Sequence, residues 1–217
     1  MRVWLIRHGE SESNAGLPTN GPGASPLTGL GREQAGRVAA AFDGPPDLIV
    51  ASSFVRARET ARPTRERFPD VPYEEWPVQE FTYLGSLHGP STTAEERRPH
   101  VEEYWTRCDP AYSNGGGESF QDLITRGREF VDRLAARPEQ GLVAVFTHGI
   151  FMRALLWSLQ LGVSAPDHAD MESFRTFMIN SATPNGTIAE LRLAGGHGAG
   201  VVIGSTVHLT APSGRPA

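Results

Sequence analysis

Val3-Trp4-Leu5-Ile6-Arg7-His8-Gly9-Glu10 sets an Arg and a His side by side where a short apolar run meets a glycine. A run of branched and aromatic residues this short reads as a buried strand, and Gly9 stops it. In open α/β sheets, ligands bind in the crevice beyond the carboxyl ends of strands. The Arg7-His8 pair therefore falls where a site is expected. The pattern recurs at Leu142-Val143-Ala144-Val145-Phe146, which runs into Thr147-His148-Gly149 and then a mostly apolar helix from Ile150 to Leu161. Between the two copies, Asp47–Ala51 is another short buried strand. It ends at Ser52-Ser53, and a helix follows from about Val55 with Arg56 in its first turn.

The intervening elements follow from their periodicity. Thr28 caps a helix whose apolar positions Ala35, Val38, Ala39 and Phe42 lie on one face. Ser119 and Asp122 form a capping box ahead of a helix carrying Phe120, Leu123, Ile124, Gly127, Val131 and Leu134. Tyr73–Trp76 reads as a third strand, and Phe174–Asn180, Thr187–Leu193 and Val201–Leu209 as late strands. The Gly-rich 194–200 turn and the 210–217 tail are predicted to be mobile. From 81 to 117 the pattern breaks down and only 93–107 looks helical. The expected fold is a three-layer α/β/α sandwich with a mostly parallel central sheet. Residues 1–217 form one domain, with 81–117 an inserted helical and irregular segment that caps the substrate over the active-site edge.

Composition sets bounds on function. With 217 residues, 39% hydrophobic and 21% charged, the chain can bury a substantial core. A net charge of −5 excludes a general nucleic-acid binder but not an anionic small substrate, since a few local Arg residues set the sign of a pocket. Cys108 is the single cysteine, so no intrachain disulfide forms. No run is long enough for a membrane span, and the start lacks the apolar core of a signal peptide. A cytoplasmic enzyme is expected, acting on a small anionic phosphorylated substrate without nucleic acid or membrane. Its oligomeric state is left open, a homodimer among the options.

Two His at strand ends, Arg7 and Arg56 near the same sheet edge, and Glu80 at the start of the insertion make up what phosphoryl transfer through a phosphohistidine requires. The transferring group spreads negative charge over its equatorial oxygens, so positioning and electrostatic stabilisation dominate. Arg7 and Arg56 supply rigid multi-donor forks, with His148 and Asn14 as further donors. Taken alone, Asn14 in a Gly/Pro-rich loop is a turn residue. His8 is the nucleophile and must be neutral to attack, a state that neighbouring guanidinium groups favour. Glu80 protonates the leaving alkoxide and then serves as base for the hydrolytic water. Metal binding ranks below this: no closely spaced ligand set appears, and flanking Arg residues repel a cation.

These motifs resemble the histidine phosphatase superfamily, phosphoglycerate-mutase-like branch, over most of the chain. Arg7-His8-Gly9-Glu10 with Asn14 matches its opening signature, and Leu27-Thr28-Gly29-Leu30-Gly31 with Gln34-Ala35 the next. Ser53, Arg56-Ala57 and Thr60-Ala61 match the segment with the second phosphate-binding Arg, which selects Arg56 over Arg58. Glu80 stands where the family's proton donor stands, and Gly117-Glu118-Ser119 and Thr147-His148-Gly149 complete the set. The resemblance implies a metal-independent phosphomonoesterase without a cofactor, with His8, Glu80 and His148 catalytic. It implies phosphate binding by Arg7, Asn14, Arg56 and Gly149. After Glu80 the chain reads Phe81-Thr82-Tyr83-Leu84-Gly85-Ser86-Leu87-His88-Gly89, where many members carry a Phe-Gly-x-Trp-Glu-Gly run. That stretch is expected in the pocket wall. Arg97 and Arg98 are candidates to grip a second anionic group, though a solvated helix face explains them equally. The alternatives are a phosphoglycerate mutase and, from another class, a non-catalytic phospho-ligand binding module.

Overall fold

The computed structural model describes residues 1–18, 20–88, 92–137, 141–194, 198–205 and 207–209. In chain order these form β1 (Arg2–Arg7), α1 (Gly29–Ala40), β2 (Leu48–Ala51), α2 (Val55–Arg67) and β3 (Tyr73–Glu75). A 3-10 turn (Gly85–His88) and α3 (Ala94–Arg107) follow, then α4 (Phe120–Ala135), β4 (Leu142–Thr147), α5 (Gly149–Leu161) and α6 (His168–Asn180). The chain continues with β5 (Ile188–Ala194), β6 (Gly198–Ser205) and a closing 3-10 turn (Val207–Leu209).

The strands form one sheet in the order β3-β2-β4-β1-β5-β6. The first four run parallel, and β5 and β6 extend the sheet antiparallel from β1. Side chains alternate across each strand, so β1 sends Val3 and Leu5 to one face and Ile6 to the other. Ile6, Ile49, Ala144 and Phe146 pack with Val38 and Phe42 of the α1 region and Ala61 of α2. Val3, Leu5, Val143 and Val145 pack with Leu123 and Phe130 of α4 and Phe151 and Leu155 of α5. Both faces are covered, which gives the three layers.

The segment read as an insertion is anchored by aromatic packing. Tyr83, Tyr104 and Trp105 are buried together, with ring centroids 4.7–5.7 Å apart. Trp105 joins them to Phe120 and Phe174 of the core.

Four expectations change. Phe174–Asn180 is not a strand but the second half of α6. Asp167 and Asp170 form a reciprocal capping box that starts this helix, and Met171 and Phe174, one turn apart, are both fully buried. The last strand begins at Gly198 and ends at Ser205, with Val207–Leu209 a 3-10 turn instead of strand. The third strand stops at Glu75, before Trp76. Of the stretch 194–200 predicted to be a mobile turn, residues 194 and 198–200 are instead paired in β5 and β6, while 195–197, like the 210–217 tail, lie outside the described residues.

Candidate active site

Register brings the two strand–His–Gly motifs together. β1 and β4 are parallel neighbours with Arg7 opposite Thr147, so His8 and His148 emerge side by side. The His8 amide donates to the Thr147 carbonyl at 3.0 Å, and the imidazole centroids are 5.0 Å apart. On the other side of β4, the Ser52 amide at the end of β2 donates to the Phe146 carbonyl at 2.9 Å. Three parallel strands thus end at one level, and α2 starts there with Arg56 in its first turn.

The chain leaving His8 is held by the second motif. A Cβ on Gly31 would lie 2.0 Å from the Glu10 carbonyl oxygen, and one on Gly9 2.4 Å from that of Gly31. Only two glycines allow this crossing. Thr28 Oγ1 caps α1 by accepting from the Gly31 amide and also donates to Glu10 Oε1 at 2.8 Å. Gln34 Oε1 accepts from the Glu10 amide at 2.7 Å, and Thr60 Oγ1 from the Gly9 amide at 3.0 Å. These residues fix the backbone on which the imidazole is mounted.

His8 is 2% exposed. Its Nδ1 lies 2.7 Å from the Gly9 carbonyl, which can only accept, so Nδ1 carries the hydrogen and Nε2 keeps its lone pair. Arg56 Nε donates to that lone pair at 3.1 Å, and Arg56 Nη1 donates to the Pro22 carbonyl at 2.6 Å. Burial pushes the His8 pKa well below its ordinary 6.5, and the Arg56 and Arg7 charges push the same way against the weaker pull of the Gly9 carbonyl. His148 is fully buried with Nε2 2.9 Å from Ser52 Oγ. Its pKa is also well below 6.5, from burial first and then from Arg56, His8, Arg126 and Arg7. Burial brings Arg56 down to about 10, with Glu80 opposing, so it stays charged at neutral pH. Arg7 Nη1 donates to the Thr183 carbonyl. Arg7 Nε and His148 Nδ1 are buried without a partner among the described residues. A Cβ on Gly149 would sit 3.2 Å from Arg7 Nε, so glycine there leaves the guanidinium its place.

Glu80 lies on the N-terminus of α5. Its Oε1 accepts from the Phe81, Ile150 and Phe151 amides at 3.0, 3.1 and 3.2 Å, while Oε2 is reached by Ile150 alone at 3.3 Å. The approach to Glu80 is clamped by Arg126, which pairs with both Glu118 oxygens at 2.7 and 2.8 Å. Arg126 Nη1 also donates to the Pro77 and Gln79 carbonyls at 3.0 and 2.9 Å. Asn14 Oδ1 accepts from Ser11 and, at 3.0 Å, from Asn185 Nδ2, which also donates to the His8 carbonyl at 3.1 Å.

A cavity of about 170 Å³ opens beside these groups. The loop after β1 gives one wall through Ser11, Ser13, Asn14 and Ser25. Phe81, Thr82 and Arg97 are in its lining too, with Arg56 and Glu80. Of the residues read from sequence, Arg56, Glu80 and Asn14 border the cavity. Arg56 both borders the cavity and bonds His8, whereas His8, Arg7, His148 and Gly149, at the strand ends, are not part of the cavity lining. Arg97 reaches the cavity, whereas Arg98 is 70% exposed and pairs with Glu102 on the same helix.

Ser52, Asn185, Arg126 and Arg153 escape the sequence reading. Arg126 carries a signal: it occupies the apolar stripe of its helix between Leu123 and Phe130 and is 8% exposed. Arg153 is the single charge in the apolar helix α5, and it donates to the Gly149 and Met178 carbonyls at 3.0 and 2.8 Å. Asn185, in a Pro-Asn-Gly turn, carries none. Among the described residues, Cys108, His168 and Glu172 are the group close enough to share a metal ion. None of them borders the cavity.

The two buried imidazoles make stability depend on pH. Both are neutral in the folded protein at pH values where the unfolded chain binds protons. Their contribution is complete above about pH 6.5 and is lost as pH falls below it, with a limiting slope of roughly 3 kcal/mol per pH unit for the pair. Urea denaturation between pH 7.5 and 5 should give this slope, and a His148→Asn variant about half of it. An unchanged slope in the variant would contradict the assignment.

Comparison with known proteins places this geometry in a wider set. The family model "Histidine phosphatase superfamily (branch 1)" matches residues 3–195. The adenosylcobalamin/alpha-ribazole phosphatase of Salmonella typhimurium is 32% identical over 157 residues, 69% of this chain and 75% of the relative. The metal-independent phosphoserine phosphatase of Arabidopsis thaliana is 28% identical over 167 residues, 75% and 70%. The solved mycobacterial glucosyl-3-phosphoglycerate phosphatase with inorganic phosphate superposes with a TM-score of 0.68 at 26% identity, covering 93% of this chain and 95% of the other. Among the described residues, no helix is long and apolar enough to cross a membrane.

Proposed function

The chain belongs to branch 1 of the histidine phosphatase superfamily and is a phosphatase, and we propose that it hydrolyses a small phosphorylated metabolite through a phosphohistidine on His8. The observation that carries this reading is the pair of bonds on the His8 ring, Nδ1 to Gly9 and Nε2 from Arg56. They fix a neutral imidazole whose lone pair faces a guanidinium.

Incoming phosphate draws the Arg56 donor from His8 Nε2 onto a phosphoryl oxygen, which exposes the lone pair as the ester arrives. Arg7 Nε, buried and without a hydrogen-bond partner among the described residues, supplies a second fixed donor. Nε2 attacks phosphorus, and the ester P–O bond breaks as the alkoxide leaves with a proton from Glu80. That proton sits on Oε2, because Oε1 already accepts three amides. Glu80 then takes a proton from water. The water oxygen attacks phosphorus, the P–N bond breaks, and neutral His8 returns. No step calls for a metal. The substrate segment 81–117 acts as a cap, with Phe81 and Thr82 in the cavity lining.

Rapid acid-free quenching during turnover of a radiolabelled aryl phosphate should trap a label that is stable to alkali, lost in acid and confined to the His8 peptide. Turnover should be unchanged by EDTA. A label elsewhere, or activity abolished by EDTA, would overturn the reading. Phosphoryl transfer between phosphoglycerates in place of release to water would mark the mutase alternative.

A further inference from the structure

We propose that Ser52 is a positioning residue that fixes which nitrogen of His148 carries the hydrogen, so that the ring meets the phosphoryl group as a donor and not as a lone pair. This rests on the phosphoryl-transfer reading above and adds a residue to it. Ser52 is the first residue after β2, and its amide donates to the Phe146 carbonyl of β4 at 2.9 Å. Ser52 and His148 are both wholly enclosed, at 0% exposure. The His148 ring is neutral, because burial and the surrounding Arg charges hold its pKa well below 6.5. A neutral imidazole has one N–H and one lone pair. Its two tautomers therefore offer an anion opposite chemistry.

The hydroxyl decides between them by hydrogen-bond count. Ser52 Oγ has one hydrogen to give and two lone pairs. The Phe54 amide donates to one lone pair at 3.2 Å, and His148 Nε2 lies 2.9 Å away. Among the described residues these are its partners. With the hydrogen on Nε2, Oγ would accept twice and its own hydrogen would be buried without an acceptor, an arrangement folded proteins avoid. With Oγ donating to Nε2, the hydroxyl is satisfied and Nδ1 bears the hydrogen of the ring. Nδ1 is the ring atom buried without a partner among the described residues, and Arg7 Nε is in the same condition. The His148 and His8 rings are 5.0 Å apart. Two unmet donors beside the attacking imidazole suit an anion gripped by both. Phe54 also packs against His148, with the rings steeply inclined at 70° and centroids 5.2 Å apart. The segment that holds the hydroxyl thus braces the imidazole it orients.

Nitrogen NMR of protein labelled at its histidines tests the assignment, since a protonated ring nitrogen and a bare one resonate far apart. The His148→Asn variant identifies the signals by their loss. The parent should show His148 with a protonated Nδ1 and a bare Nε2, and Ser52→Ala should give a mixture of the two tautomers. Ser52→Ala should also lower kcat for an aryl phosphate about 10–100-fold, short of the loss of about 100–1,000-fold for deleting a preorganised donor. Ser52→Cys, a weaker donor, should fall between the parent and Ser52→Ala. In a His148→Asn background, Ser52→Ala should cost less than about 2-fold more, because Ser52 acts through the ring. A bare Nδ1 in the parent would overturn the assignment. So would losses that multiply in the double variant, which would place Ser52 in holding the start of α2 through Phe54. Either result leaves the phosphatase reading standing as long as the phosphoenzyme label stays on His8. Absence of that label from the parent would overturn the reading on which the proposal rests.

Discussion

His8→Ala should slow aryl phosphate hydrolysis about 10,000-fold and abolish the acid-labile phosphoenzyme altogether. No neighbouring group can replace the imidazole. His148, 5.0 Å away, turns Nε2 to Ser52 at 2.9 Å, and Glu80 is held on the N-terminus of α5 by backbone amides. The substitution deletes a buried ring, so part of its effect falls on stability. His8→Asn keeps much of the volume and should lose the same activity with a smaller change in the urea midpoint. Loss of activity without loss of the trapped phosphoenzyme would reassign the nucleophile. The parent's pH profile should agree: because burial and the Arg charges hold His8 neutral, activity should persist as pH falls through 6.5, where an ordinary imidazole protonates.

Arg56→Ala should lower kcat/KM about 100–1,000-fold, the range for removing one preorganised donor from a developing anion. It should also change the pH profile. Arg56 is the largest charge effect keeping His8 neutral, so without it the imidazole takes up a proton at higher pH, and the acid limb should move upward. Arg56→Lys should restore little. One ammonium cannot meet a phosphoryl oxygen while also holding the Pro22 carbonyl, which Arg56 contacts through Nη1 at 2.6 Å. An unmoved acid limb with a purely KM effect would place Arg56 in substrate capture alone.

The parallel strands were legible because buried strands are short continuous apolar runs with abrupt ends: Val3–Ile6 and Leu142–Phe146 have no helical spacing to confuse them. α6 was misread for a local reason. Phe174, Thr176, Phe177 and Ile179 favour strands as residue types, and the stronger cues, the Asp167 and Asp170 box and the Met171–Phe174 spacing, lie upstream of the window. At the candidate site, His8 and Arg56 could be named by chemistry alone, since each carries a lone pair or charge at a strand end or helix start, and Glu80 as the carboxylate that opens the 81–117 segment. The supporting residues could not be named that way. Asn185 reaches Asn14 and the His8 carbonyl from the far side of the chain, and no local pattern encodes a contact over that separation. Arg97 and Arg98 are equivalent in sequence, and only the helical turn between them sends one to the cavity and the other to water.

The Arg126 clamp has a consequence for how such an enzyme diversifies. It ties Glu118 to the Pro77 and Gln79 carbonyls, pinning both ends of the 81–117 segment to one point. Whatever lies between those ends can lengthen, shorten or change its lining while the Glu80 carboxylate keeps its seat. On the proposed function, selectivity and reactivity would thereby be mechanically decoupled, leaving the chain free to trade one metabolite for another without rebuilding its chemistry.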